Sequence, residues 1–200
     1  GAVGRRRLVH DLLTRWWRHR PPWDASSVRG AHRVVPRHRY LGAVARLAAS
    51  PPGADRIAPA RRFVRRLLDP PAPGPGAWVE KSPANCAAGG FLNSVFPGMR
   101  LVHVIRDGRD VACSFMRVPW APDEFEPALR LWERSLLEAH RGTLAAPADR
   151  VHRLTLEDLV VRDRDRTYAA LLGFLGIADG PELRSFFDRE LTADHARVGR

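Results

Sequence analysis

The chain has 200 residues, of which 44% are hydrophobic, so it can build one domain with a core and lacks the composition of a disordered protein. No apolar run approaches the roughly 18 residues that a membrane-spanning helix needs. The two cysteines, Cys86 and Cys113, lack metal-ligand spacing. We therefore expect reduced thiols in a cytoplasmic protein, with no membrane span and no metal site.

The net charge of +11 is concentrated in the first third of the chain. Residues 1–66 hold sixteen arginines against three acidic residues, and the remainder is close to neutral. This asymmetry predicts that the first third meets an anion, which could be a nucleotide, an acidic acceptor, a membrane surface or nucleic acid. An arginine-biased composition on solvated helix faces is an equally good explanation. Lys81 is the single lysine, which indicates either a position that favours a compact ammonium or chance.

Three short helices are predicted in this basic region. They span residues 8–18, 40–49 and 59–68, and prolines follow each of them. The proline- and glycine-rich segment 70–76 predicts a linker or an exposed loop.

Strands alternate with helices after that segment. The predicted strands are 77–81, 101–105 and 151–155. The predicted helices are 82–96 (with Ser82 as its cap and Pro83 at its first position), one capped by Asp107, 124–145, 167–175 and 181–191. This alternation predicts an α/β fold, a parallel sheet with flanking helices.

Polar groups collect where two of these strands end, which is the edge at which parallel sheets bind ligands. Lys81 ends the first strand, and Arg106 follows the second. A helix is predicted to begin directly after each of them. A helix N-terminus offers N–H donors and about half a positive charge, so each junction predicts an anion site.

The second junction carries the more specific pattern. Arg106 supplies a planar fork that matches phosphate oxygens, and Gly108 leaves room for a close backbone approach. Ser114 lies four residues beyond Asp110, on the same helix face. The spacing is compatible with phosphate binding and equally with an ion pair from Arg106 to Asp107 or Asp110 that braces the turn.

Two stretches resemble the sulfotransferase family that uses 3′-phosphoadenosine 5′-phosphosulfate. Residues 78–85, WVEKSPAN, and 96–114, FPGMRLVHVIRDGRDVACS, look like the core of that family. Residues 154–159, LTLEDL, and 172–176, LGFLG, resemble its later YEDL and FLG landmarks. The resemblance covers roughly residues 77–177 and implies the sulfotransferase variant of the P-loop nucleoside triphosphate hydrolase-like fold.

The resemblance also implies roles for individual residues. Arg106 and Ser114 match the pair that holds the 3′-phosphate of the donor nucleotide. Lys81, in the Glu-Lys-Ser-Pro element, is a candidate for donor binding and for catalysis. The general base in relatives is a His or Glu, and the candidates here are His32, His38, Asp24 and Glu80.

The family's first phosphate loop, P-x-S-G-T-T, has no match in residues 1–76. We expect one sulfotransferase-like domain over 1–200, with a basic helical arm or acceptor region at 1–76 and an α/β core with the 3′-phosphate site at 77–200. We also expect this domain to be incomplete at its N-terminus and, without the loop, to show little sulfuryl transfer.

The predicted function is transfer of a sulfuryl group from 3′-phosphoadenosine 5′-phosphosulfate to a hydroxyl or amine. The expected partners are this nucleotide and an acceptor that is acidic or a small molecule, whereas nucleic acid is not expected. Two alternatives stay open. One is a non-catalytic nucleotide-binding or scaffolding relative, and the other is a basic module that binds nucleic acid or an anionic surface through residues 1–66. Salt-sensitive binding without a nucleotide response would favour the basic module.

Overall fold

The computed structural model describes residues 2–18, 20, 28–51, 55, 57–69 and 77–192. They divide into two compact units. The first comprises residues 1–81 and 94–96, and the second comprises 82–93 and 97–200. The predicted linker 70–76 and the candidate base Asp24 lie outside the described residues.

The first unit contains the three predicted helices. They are α1 (Ala2–Asp11), which continues into a π-helical turn at Leu12–Trp16, α2 (Arg37–Ala48) and α3 (Ile57–Leu68). The first helix begins six residues before its predicted start because Ala and Arg, which dominate that stretch, are strong helix formers.

The core of the first unit forms around Tyr40, which is only 1% exposed. Its ring lies 4.9 Å from that of Trp17, and Leu12, Val44 and Leu47 are buried beside it. The Tyr40 hydroxyl donates a hydrogen bond of 2.8 Å to the carbonyl oxygen of Leu12, and burial raises its pKa. The π-helical turn is therefore tied to α2 by a buried hydrogen bond.

The second unit contains a parallel two-stranded sheet among its described residues. Strand β1 (Leu101–Ile105) pairs with β2 (Val151–Thr155), and Ile105 lies opposite Thr155. The predictions of both strands and of a parallel sheet are confirmed. Because the strands end in register, the residues that follow them meet at one edge.

Helices flank this sheet and confirm the α/β prediction. They are α4 (Gly89–Val95), α5 (Gly108–Phe115), α6 (Phe125–Leu144), α7 (Arg164–Leu175) and α8 (Pro181–Glu190). The buried cluster of this unit joins β2 to α7 and α8 through Leu154, Tyr168, Leu172 and Phe187. None of the described helices has an apolar stretch of the length that crossing a membrane requires.

Two local predictions are wrong. Residues 77–82 form no strand, and Val79 is 93% exposed. Residues 83–88 form turns, so helix α4 begins seven residues after Ser82. For residues 83–88 the reason is tertiary packing: the carbonyl oxygen of Cys86 lies so close to α6 that a Cβ at Gly142 would approach it to 2.2 Å.

Candidate functional site

The junction between β1 and α5 is built around Asp107. This residue is the N-cap of α5, as predicted, and its carboxylate accepts a hydrogen bond of 2.9 Å from the backbone N–H of Arg109. The Arg109 guanidinium also binds this carboxylate, with Nη2 2.6 Å from Oδ2. These hydrogen bonds from Arg109 lower the pKa of Asp107 to about 2.

A second carboxylate reaches the same junction from the end of the neighbouring strand, β2. The backbone N–H of Asp107 donates a hydrogen bond of 2.9 Å to Oε1 of Glu157, which follows β2. Glu157 therefore ties the ends of β1 and β2 together. Glu157 belongs to the LTLEDL motif at residues 154–159, to which the sequence assigned no role at the site.

These contacts change the predicted anion sites. At α5, the N–H groups of Asp107 and Arg109 are bound by protein carboxylates and do not face an open position. After Lys81 no helix begins, because α4 starts only at Gly89. The predicted helix N-terminus after Lys81 is therefore absent from the described residues, and at α5 two of the N–H groups that could meet an anion already have protein partners.

Arg106 lies at the end of β1 with 21% of its side chain exposed. Its Nη2 atom is 3.6 Å from Oδ2 of Asp110, a distance that supports an ion pair and exceeds that of a hydrogen bond. Of the two carboxylates considered from the sequence, Asp110 pairs with Arg106, whereas Asp107 pairs with Arg109.

Ser114 lies one turn beyond Asp110 on α5 and is half-buried. Asp110 and Ser114 therefore lie on one face of α5, and Arg106 pairs with the first of them from the end of β1. A joint role for Arg106 and Ser114 stays a prediction.

Lys81 and the described base candidates belong to the first unit. Lys81 is exposed and follows a segment without regular structure. Glu80 and His38 are exposed, and Nδ1 of His32 lies 3.0 Å from the carbonyl oxygen of Trp17.

Gly108 serves packing in a way that the sequence did not reveal. It is buried, and a Cβ at this position would lie 2.6 Å from the ring of Trp132 on α6. The space that was predicted to admit a ligand is filled by an indole ring, so Gly108 sets the distance between α5 and α6.

Metal chemistry finds no support in the described part of the chain. No group of three or more His, Cys, Asp or Glu side chains there is arranged to hold a metal ion.

Comparison with known proteins adds a family assignment. A model of the sulfotransferase family matches residues 8–181. Searches among curated proteins and among solved structures gave no match. The family match begins within α1, so it includes the basic arm that the motifs at 77–177 did not reach. Because the match covers most of the chain and the fold is α/β with a parallel sheet, this protein belongs to the sulfotransferase family.

Proposed function

We propose that this protein transfers a sulfuryl group from 3′-phosphoadenosine 5′-phosphosulfate to a hydroxyl or amine acceptor. The observation that carries the proposal is the position of Arg106 directly after β1, paired with Asp110 in the first turn of the helix that carries Ser114, in a chain of the sulfotransferase family. In this proposal both residues bind the 3′-phosphate of the nucleotide.

The chemistry of the two side chains fits a phosphate. The guanidinium of Arg106 is planar and always charged, and it can donate two parallel hydrogen bonds to phosphate oxygens. The Ser114 hydroxyl can donate a third. Asp110, at 3.6 Å, holds Arg106 near this position without a hydrogen bond between the paired atoms.

The donor nucleotide supplies the sulfuryl group: a bond from sulfur to the acceptor oxygen or nitrogen forms as the bond from sulfur to the 5′-phosphate oxygen breaks. The leaving oxygen gains negative charge, and we assign its stabilisation to the ammonium of Lys81. The acceptor loses a proton to a general base.

The first test compares two nucleotides. Adenosine 3′,5′-bisphosphate should raise the melting temperature of the protein more than 5′-AMP does, because only the bisphosphate carries the 3′-phosphate that Arg106 and Ser114 are proposed to bind. The measurement is thermal unfolding with both nucleotides at matched ionic strength. Equal shifts would rule out a site that reads the 3′-phosphate.

The second part of the test concerns transfer itself. Donor labelled with sulfur-35 is incubated with the protein and with sets of hydroxyl and amine acceptors, and the labelled product is separated. We expect only slow labelling, because residues 1–76 hold no match to the family's first phosphate loop. An Arg106→Ala variant is the control, since it should lose this donor-dependent labelling. Nucleotide binding without labelled product in any acceptor set would favour the non-catalytic nucleotide-binding alternative.

A further inference from the structure

A groove of about 610 Å³ runs between α2 and α3, wholly within the first unit. Two small residues, Gly42 and Ala43, are among those that line it. The other lining residues carry ionisable side chains: His38, Arg39, Arg46, Arg62, Arg65, Arg66 and Asp69. Five arginines therefore face one carboxylate.

Two of the five arginines are engaged in holding α3. Arg39 donates from Nε to the carbonyl oxygen of Arg66 at 2.5 Å and from Nη2 to that of Asp69, so it caps the end of the helix. Arg65 binds the Asp69 carboxylate at 2.9 Å, and the indole N–H of Trp78 donates to the same carboxylate at 3.3 Å. The one acidic side chain of the groove is thus already occupied.

The remaining three arginines leave the groove with uncompensated charge. In the described part of the chain, Arg46 and Arg66 have no carboxylate partner. The exposed Asp55 carboxylate accepts hydrogen bonds from the backbone N–H groups of Ile57 and Ala58, which lower its pKa, and the charge of Arg62 adds a smaller lowering. Arg62 and Arg66 lie one turn apart on one face of α3, a spacing at which like charges repel. An anion bound between them would relieve this repulsion.

The arrangement suits a ligand with several anionic groups in a row. His38, Gly42 and Arg46 are spaced four residues apart along α2, so this stripe extends for about 12 Å. Arg62 and Arg66 form the facing stripe on α3. A single small anion would contact only part of this length, whereas a linear polyanion could contact all of it.

We propose that this groove binds an acidic glycan, a chain of sugars that carries sulfate or carboxylate groups. Guanidinium forks match such oxyanions. No aromatic ring lines the groove for base stacking, which disfavours single-stranded nucleic acid. The lining also lacks the large apolar anchors that peptide partners use. The proposal does not depend on the nucleotide site, because Arg106 and Ser114 belong to the second unit.

The test uses a charge placed inside the groove. A Cβ at Gly42 would meet no atom within 4 Å, so Gly42→Glu fits without a clash and sets a carboxylate among the arginines. Gly173→Glu on α7 is the matched control, because that glycine is also helical and exposed with nothing within 4 Å of a Cβ. Both variants change the net charge equally, and both should fold, since Glu is a better helix former than Gly.

Binding is measured by calorimetry with a size-defined heparin oligosaccharide. We expect salt-sensitive binding that Gly42→Glu weakens by about tenfold or more and that Gly173→Glu leaves close to wild type. A second pair, Arg66→Gln against Arg134→Gln on α6, should show the same contrast. This pair decides the question if circular dichroism shows that Gly42→Glu does not fold.

Equal effects of the two members of either pair would overturn the proposal. An oligonucleotide or a polyglutamate peptide of matched charge that bound as tightly as the oligosaccharide would overturn the assignment to a glycan. Loss of oligosaccharide binding in Arg106→Ala, together with displacement by adenosine 3′,5′-bisphosphate, would assign the binding to the nucleotide site instead of the groove.

Discussion

At the end of β1, two protein carboxylates bind N–H groups that begin α5. Glu157 accepts from the N–H of Asp107, and the Asp107 side chain accepts from the N–H of Arg109. Both are charge-assisted hydrogen bonds, which are stronger than neutral ones. They fix the direction in which the chain leaves β1. These two hydrogen bonds therefore also fix the position of Arg106, which directly precedes Asp107.

The two arginines of this junction should therefore differ in effect. Arg106→Ala should weaken binding of adenosine 3′,5′-bisphosphate by about tenfold to a hundredfold, the loss of one charge-assisted contact. Arg109→Ala should weaken it less, because the Arg109 guanidinium, 79% exposed, binds Asp107. Calorimetric titration of both variants measures the difference. A larger loss in Arg109→Ala would contradict the assignment of Arg106.

Histidine 103 gives the second unit a dependence on pH. Its side chain is buried on β1, and burial, followed by the charge of Arg153, lowers its pKa from 6.5. The unfolded chain therefore binds a proton more readily than the folded one. The stability linked to His103 is fully present above pH 6.5 and is lost as the pH falls below that value.

We expect the free energy of unfolding of the wild type to fall as the pH is lowered from 8 towards 5, a range set by histidine titration at about 6.5. His103→Leu should flatten this fall, because it removes the buried titrating group. His10→Gln, an exposed position, should leave it unchanged. Urea unfolding at a series of pH values provides the measurement. Identical slopes in wild type and His103→Leu would show that other groups cause the dependence.

At the scale of elements, arginine side chains from elsewhere in the chain cap the C-terminal ends of four helices. The capping side chains, with the helices that they cap, are Arg39 on α3, Arg61 on α4, Arg100 on α7 and Arg164 on α8. Each guanidinium donates to one or two carbonyl oxygens in the last turn of the helix or just beyond it, where the helix carries partial negative charge. A planar fork can bridge two such oxygens, and an ammonium cannot do so with the same geometry. Part of the arginine excess is therefore structural.

Helix α8 offers a direct test of this role. Arg164 donates to the carbonyl oxygens of Leu191 and, at 2.8 Å, of Phe187, and its guanidinium lies 4.0 Å from the Phe187 ring centroid. Arg164→Lys keeps the charge and should still destabilise the protein by about 1–2 kcal/mol. Arg166→Lys is the control, because Arg166 lies on α7 as Arg164 does but is 86% exposed. Its ion pair within the described residues is with Asp163, at 3.5 Å. Denaturant unfolding of the two variants should separate them, and equal stabilities would argue against the cap.

At the scale of the whole molecule, the division between the two units falls within helix α4. Its residues up to Asn93 belong to the second unit, whereas Ser94 and Val95 belong to the first. The guanidinium of Arg61 donates to the carbonyl oxygens of both Ser94 and Val95. The family match also runs through both units. We therefore propose that residues 1–200 form one domain, and that the basic arm is not a separate module.

One domain should unfold in one transition. Far-ultraviolet circular dichroism, which follows all helices, and tryptophan fluorescence should give the same denaturation midpoint. Adenosine 3′,5′-bisphosphate should shift both signals together, because a ligand of the folded state stabilises the whole cooperative unit. Two separated transitions, with only one that responds to the nucleotide, would show that the units fold independently.

Local sequence patterns determined much of the second unit. The apolar run at 101–105 predicted a buried strand, Asp107 predicted a helix start, and a long helix was predicted over 124–145. The structure confirms the strand, the helix start and α6, although Val104 within the strand is 52% exposed. The resemblance of residues 78–85 and 96–114 to the sulfotransferase core also indicated the family, which the family match confirms. These features were predictable because the interactions behind them involve neighbours in the chain.

Tertiary contacts decided the rest. Glu157 binds a backbone N–H fifty residues away, Trp132 fills the space beside Gly108, and the backbone at Cys86 packs on Gly142 where a helix was predicted. Each contact joins elements that are distant in the chain. Whether a capping residue starts a helix, or a glycine faces a ligand, depends on what the fold places beside it. No local pattern contains that information, because burial and close packing arise only after the chain has folded.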